Sequence, residues 1–292
     1  MKNKKTIIVG IGELLWDVLP TGKRAGGAPV NVIYHASRLG AEGYAISAIG
    51  NDILGDDLLK AMSKNNINYI VPRVSYPTGA VQVKLIEGTP IYDIIENVAW
   101  DYIPITAESK DIVSKADAIA YGTLAQRNNV SLETISQLLR FAPNNALKFY
   151  DINLRQNYYT KELITKTLEL SNILKINDEE LEILKPMFYL QNASNERFAQ
   201  SFITRFGLKY FILTAGSKYS SIYQDLGNGR KLLVSTIKTP KVEVIDTVGA
   251  GDAFSGAFLY SILSGKTLSQ AHQKAVEIGA FVCKHAGAWP KY

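Results

Sequence analysis

From Thr106 onward the chain alternates short β-branched runs with longer stretches of helical period, and this alternation constrains the fold more than any other feature. Strands are expected at Ala118–Tyr121, Lys148–Tyr150, Ile173–Ile176 and Tyr210–Leu213, separated by helices such as Val130–Phe141 and Thr160–Ser171. When a helix links two successive strands of one sheet, those strands run parallel through a right-handed crossover. Repeating the unit gives a mostly parallel sheet with helices on both faces, an α/β fold in three α/β/α layers. The N-terminal part fits the same scheme, with strands at Thr6–Val9 and Tyr44–Ile49 and helices at Pro29–Leu39 and Leu54–Lys64. Helices at Ala250–Leu263 and Ser269–Lys284 close it.

Three segments break the alternation. Ala80–Ile86 and Ile91–Ile95, joined by the turn Glu87–Pro90, read as a β-hairpin, and Glu13–Leu19 is strand-like without a helix behind it. We expect them to form a small β-sheet lid, from about residues 12–33 and 68–104, within a single domain spanning 1–292. A second hairpin, Ser220–Tyr223 with Leu232–Ser235 across Gly227–Gly229, is expected at a sheet edge.

Composition removes several function classes. The 47% hydrophobic content over 292 residues suits an ordered chain with a sizeable core. No run of about 18 apolar residues offers a membrane span, and the Lys-rich start lacks the apolar stretch of a signal peptide. One cysteine, Cys283, excludes an internal disulfide and suits the cytoplasm. The net charge of +5 is dispersed among acids rather than gathered with aromatics into a stripe, so neither nucleic acid nor membrane is expected as a partner.

Chemistry concentrates in Asp246-Thr-Val-Gly-Ala-Gly-Asp252, which runs straight into an apolar helix. Gly249 and Gly251 allow a tight turn, and the amides of Gly249, Ala250 and Gly251 at a helix start form an anion pocket. Asp252 then lies in the first turn beside the anion. It either complements the helix dipole or accepts a proton from an attacking hydroxyl, and the full seven residues favour the second. Near the other end, Gly26-Gly-Ala-Pro-Val-Asn31 pairs glycines with an amide that can meet a polyhydroxylated ligand. Gly265-Lys-Thr267 is no P-loop, because Tyr260 stands where its first glycine belongs. Gly10-Ile-Gly12 is no dinucleotide fingerprint, because Leu15 stands at its last position.

These two motifs in this order resemble the PfkB, or ribokinase-like, carbohydrate kinases over nearly the whole chain. Ile11–Asp17 and Asp151–Arg155 are most similar to bacterial fructokinases. The resemblance implies a ribokinase-like fold with a lid, and an ATP-dependent kinase acting on a sugar, D-fructose before other hexoses, 2-keto-3-deoxygluconate or a nucleoside. The other class kept open is a non-catalytic sugar-binding relative. Asp252 then matches the catalytic base, with Gly249, Ala250 and Gly251 as its anion hole. Asp17, Gly26, Gly27, Asn31 and Arg155 match sugar-binding positions, while Asn177, Thr214 and Gly216 match nucleotide-binding ones. Glu180 matches a position that helps place Mg²⁺ through water, although Asn177-x-x-Glu180 also has the form of a helix capping box. Asp246 and the Gly287-Ala288 loop leave room for K⁺. Tyr219 departs from the family pattern beside the nucleotide loop. A homodimer through the lids is expected, since small isolated sheets are marginally stable.

Overall fold

The computed structural model describes residues 5–19, 22–86, 89–227 and 231–292, with the backbone alone at 19 and 82–93. Parts of both expected hairpin turns, residues 87–88 and 228–230, lie outside the described residues. The main sheet has nine strands. Across it run Leu232–Lys238, Tyr219–Asp225, Tyr210–Thr214, Ile173–Asn177, Leu147–Asp151, Ala118–Gly122, Ile7–Ile11, Glu42–Ile46 and Asn68–Ile70. The first two are antiparallel, which is the expected edge hairpin, and the other seven are mutually parallel.

The parallel strands read as unbroken apolar runs because both of their faces are covered. Successive side chains enter opposite layers: Ile8 and Phe149 join one core cluster, while Val9 and Tyr150 join the other. Helix Ala250–Leu263 packs between Ala28–Arg38 and Leu268–Cys283. Enclosure explains why it lacks a polar stripe: Ala253, Phe254, Ala257, Phe258 and Leu259 are all buried. Each such phenylalanine contributes ~1.5–3 kcal/mol relative to exposure.

Register then brings the site together. Asp151 sits opposite Gly122, and Asn177 opposite Thr214, at the carboxyl ends of adjacent strands. Ligands of parallel α/β sheets bind outside those ends.

A separate four-stranded sheet has the order Gly22–Gly26, Leu15–Leu19, Gly79–Ile86, Thr89–Ile94. The isolated strand-like segment finds its partners here, antiparallel to Gly22–Gly26 and parallel to Gly79–Ile86. The sheet's strands fall within 15–26 and 79–94, narrower than the expected lid ranges. Residues 28–33 belong to a helix of the body, and Asn68–Ile70 extends the main sheet. The reason is connectivity: that short strand follows helix Ile53–Lys64 and completes a parallel crossover beside Glu42–Ile46.

Trp100 also belongs to the body. It lies in a buried 3₁₀ turn under the Arg127 guanidinium, 4.0 Å from its ring centre, and Arg127 pairs with buried Asp101 at 2.8 Å. Trp16 is buried as well, and its Nε1–H donates to the Leu54 carbonyl at 2.9 Å. Neither indole is open to a sugar.

Candidate active site

Gly249 starts the helix Ala250–Leu263 with φ of 78°, in the left-handed region, and no side chain caps it. A Cβ there would also lie 2.6 Å from that of Ala288, so the turn accepts only glycine. Of the three amides expected to form the anion hole, that of Ala250 turns back onto the Thr247 carbonyl at 3.2 Å. The amide end is bordered by a cation missed from sequence. Lys175 Nζ lies 3.4 Å from the position a Cβ on Gly251 would take. Lys175 is buried and ion-paired to Asp151 at 2.6 Å. Burial alone would push its pKa down, but Asp151, with the charges of Glu180 and Asp252, raises it and keeps the ammonium protonated.

Asp252 follows in the first turn. Burial, then repulsion from Asp151, pushes its pKa up to about 6, against the opposing pull of the Asn31 hydrogen bond, Lys175 and Arg155. Asn31 Nδ2 donates to Asp252 Oδ2 at 2.8 Å. The amide comes from helix Ala28–Arg38, whose N-cap Gly27 has φ of 126°. A Cβ on Gly27 would sit 2.0 Å from the Glu13 carbonyl oxygen.

Glu13 is a second residue whose part the sequence did not disclose. Its Oε1 accepts from the Ala28 amide at 3.1 Å, while its buried Oε2 has no hydrogen-bond partner. Burial, reinforced by the charge of Asp252, moves its pKa up to about 7 against the backbone hydrogen bonds. A neutral carboxyl is the form that such a place tolerates.

On the lid, Asp17 faces Gly26, its Oδ2 3.2 Å from where a Cβ on that glycine would be. Burial and the charge of Asp246 raise its pKa, with Arg155 and Arg24 opposing. Arg155 therefore lies within electrostatic reach of Asp17, Glu13 and Asp252, the last three drawn from separate elements. Asn153, just before it, takes a left-handed φ of 41° in the loop leaving Asp151.

The remaining expected residues sit on neighbouring strand ends. Asn177 Oδ1 accepts from the Glu180 amide, and Glu180 Oε2 accepts from the Asn177 amide, both at 2.8 Å, so the capping box is real. Glu180 Oε1 accepts from the Leu154 amide at 2.8 Å, which leaves neither oxygen uncommitted. Thr214 ends the next strand, and Gly216 follows in a left-handed turn closed by Thr239 Oγ1. Tyr219 is accommodated by turning its hydroxyl to Asn195 Nδ2. Asp246, expected beside a cation, spends its carboxylate within the protein: Oδ2 accepts from Arg24 at 2.6 Å and from the Gly287 amide at 2.9 Å, and Oδ1 from the Val248 amide.

Apart from Asp246 and Glu180, whose oxygens are occupied, the arrangement gathers a desolvated carboxyl, an uncapped helix start and a buried ammonium at the carboxyl ends of the strands. That combination suits transfer of an anionic group to a hydroxyl. A family model described as pfkB family carbohydrate kinase matches residues 12–291. The chain belongs to the pfkB family of carbohydrate kinases. An uncharacterized sugar kinase of Pyrococcus horikoshii is 29% identical, covering 97% of this chain and 92% of its own. Its crystal structure superposes with a TM-score of 0.82, and it has also been solved in complex with ATP. A fructokinase from Rhizobium leguminosarum bv. trifolii is 27% identical over 90% of this chain and 82% of its own. The structure of a Xylella fastidiosa fructokinase with bound ATP shares the pfkB fold at a TM-score of 0.81 and 21% identity, covering 98% of this chain and 94% of that one. Among the described residues no helix is long and apolar enough to cross a membrane.

Proposed function

We propose that this pfkB carbohydrate kinase transfers the γ-phosphoryl group of ATP to the C6 hydroxyl of D-fructose in the cytoplasm. The observation that carries the reading is Asp252: a carboxyl with its pKa brought to about 6, in the first turn of a helix that no side chain caps, with Lys175 beside the same amides. The fructokinase relatives favour fructose among the acceptors.

In this reading Asp17, Gly26, Gly27, Asn31 and Arg155 hold the sugar, while Asn177, Thr214 and Gly216 border the nucleotide. Asn31 fixes Asp252 Oδ2, so Oδ1 receives the proton as the sugar oxygen bonds to phosphorus and ADP leaves. The transition state is loose, so a weakly basic carboxylate suffices. The amides of Gly249 and Gly251, with Lys175, stabilise charge on the moving group. The lid excludes water that would otherwise accept the phosphoryl.

Among the described residues no three His, Cys, Asp or Glu side chains converge as a metal-ligand set. Asn177 and Glu180 would order water around an Mg²⁺ that arrives with the nucleotide, and the ion would supply neutralisation of phosphate charge. We further read the lid sheet as the homodimer contact, for which sedimentation at micromolar concentration should show one two-subunit species.

The deciding measurement is ADP release with ATP and Mg²⁺ over a panel of free hexoses, sugar acids and nucleosides. Fructose should give the highest kcat/KM. Strong turnover of 2-keto-3-deoxygluconate or a nucleoside beside none with fructose would replace the acceptor. Calorimetric sugar binding without ADP release from any acceptor would replace the enzyme by a binding protein.

A further inference from the structure

The C-terminal segment touches both halves of the catalytic arrangement. Gly287 holds Asp246, and Ala288 lies against Gly249 of the anion-side turn. The next residue, Trp289, donates its indole Nε1–H to Asn31 Oδ1 at 2.8 Å. Asn31 in turn donates from Nδ2 to Asp252 Oδ2 at 2.8 Å. We propose that Trp289 is a positioning residue for phosphoryl transfer: its indole N–H locks the Asn31 amide so that Nδ2, and not Oδ1, faces Asp252. The proposal rests on the reading of Asp252 as the base.

An amide side chain can present either end to a carboxyl group. A deprotonated Asp252 wants a donor, Nδ2–H. An Asp252 protonated on Oδ2 wants an acceptor there, which Asn31 would supply by turning Oδ1 toward it. Trp289 opposes that turn, because it would bring the amide Nδ2–H against the indole N–H, two donors with no acceptor between them. The lock therefore disfavours the protonated, inactive base.

The indole is itself held on both sides. His35 Nε2–H donates to the Ala288 carbonyl at 2.9 Å, and the Tyr34 hydroxyl donates to the Pro290 carbonyl at 2.6 Å. His35 Nδ1 is then the acceptor for the Tyr292 hydroxyl at 2.7 Å, and burial keeps the ring neutral by lowering its pKa to about 4. Asn31, Tyr34 and His35 share one face of helix Ala28–Arg38, so a single helix face grips the tail and presents the amide. Trp289 also stacks on Tyr34, ring centres 5.9 Å apart and planes at 24°.

The other charges facing Asp252 are Asp151 and Lys175 from the sheet, Arg155 from the loop after Asp151, and Glu13 from the segment before the lid strand. None of them touches the indole nitrogen, so removing its N–H leaves them in place. The test is the pH profile of kcat/KM in Trp289→Phe, which keeps a ring on Tyr34 and loses the donor. A hydrogen bond of ordinary net strength moves a titration by ~0.5–1 pH unit. The acid limb should rise by that amount, giving a ~3–10-fold loss below the limb and near wild-type rates at pH 8. Incorporating benzothienylalanine at position 289, which replaces only N–H by sulfur, should reproduce the shift and decides the matter if the Phe variant does not fold. An unmoved limb, or an equal loss at every pH, overturns the proposal and leaves Trp289 a packing residue. Asp252→Asn separates the two readings: if it abolishes turnover while both position-289 changes leave the limb in place, only the positioning role falls. If Asp252→Asn turns over normally, both fall.

Discussion

Helices Ala28–Arg38 and Ala250–Leu263 each begin at a glycine of positive φ with no side-chain cap, whereas Asp52, Thr106, Asn128, Thr160, Asn177, Ser194 and Thr267 cap the other seven described α-helices. The two exceptions are the two that meet at the site. Yet they differ in what faces their first turn. The Ala28 amide is met by Glu13, a carboxyl from another segment, so this end is already satisfied and unsuited to phosphate. At Gly249 no carboxyl closes the end and Lys175 stands beside it. The same local device thus yields one end met by a carboxyl and one bordered by an ammonium, which in the proposed function are the hydroxyl side and the anion side, and the difference is set by partners distant in sequence.

The strongest way to break this contrast is at Asp252. Asp252→Asn should lower kcat at least ~10²-fold while sugar binding by calorimetry stays nearly intact. In the wild type, activity should fall as pH drops through about 6, because the base must be ionised and its pKa is raised, not lowered, from the usual carboxylate range. An acid limb near pH 4 would contradict the desolvation argument. Next, Lys175→Met should cost ~10-fold or more in kcat, and about 3 kcal/mol of stability in denaturant unfolding, because Asp151 is left buried without its partner.

The glycine pair sharpens the comparison on the other side. Gly27→Ala meets both a positive φ and a backbone oxygen, and should lose ~2–4 kcal/mol of stability. Gly26→Ala meets only the end of the Asp17 side chain, so its unfolding midpoint should stay close to wild type. The smallest effect belongs to Glu13→Gln. It keeps an acceptor for the Ala28 amide and imitates the neutral acid, so kcat at pH 7 should hold within about twofold. The acid limb should stay near its wild-type place, because Glu13, with its pKa pushed up to about 7, is already largely neutral where Asp252 titrates near 6. A large loss of activity would mean that Glu13 acts in its ionised form.

The sheet was readable because its strands are buried on both faces and leave apolar runs whose spacing no other fold explains. The lid was readable as a departure from that rhythm. Its limits were not, since pairing decides whether Asn68–Ile70 extends the main sheet or the small one. Asp252 and Asn31 were legible because glycine turns mark them. Lys175 was hidden as one charge inside an apolar strand, and Glu13 as one acid before another apolar run, since solitary charges carry no spacing. Asn177 and Glu180 show the opposite difficulty, as a helix cap and a ligand-ordering pair share one pattern. Trp289 was beyond reach: its contact with Asn31 joins residues 258 apart, and nothing local to either announces it.

The pairing of Arg24 with Asp246 ties a lid strand to the segment that turns into the phosphate side. Parting those two charges is a step that concentrated salt eases and dilute salt resists. Since the arginine side chain is 40% exposed, the latch is worth at most ~1 kcal/mol. A tie of that size yields to added salt without loosening the body on either side of it, so the joint between the small sheet and the Asp246 turn is the part of the molecule that ionic strength reaches first.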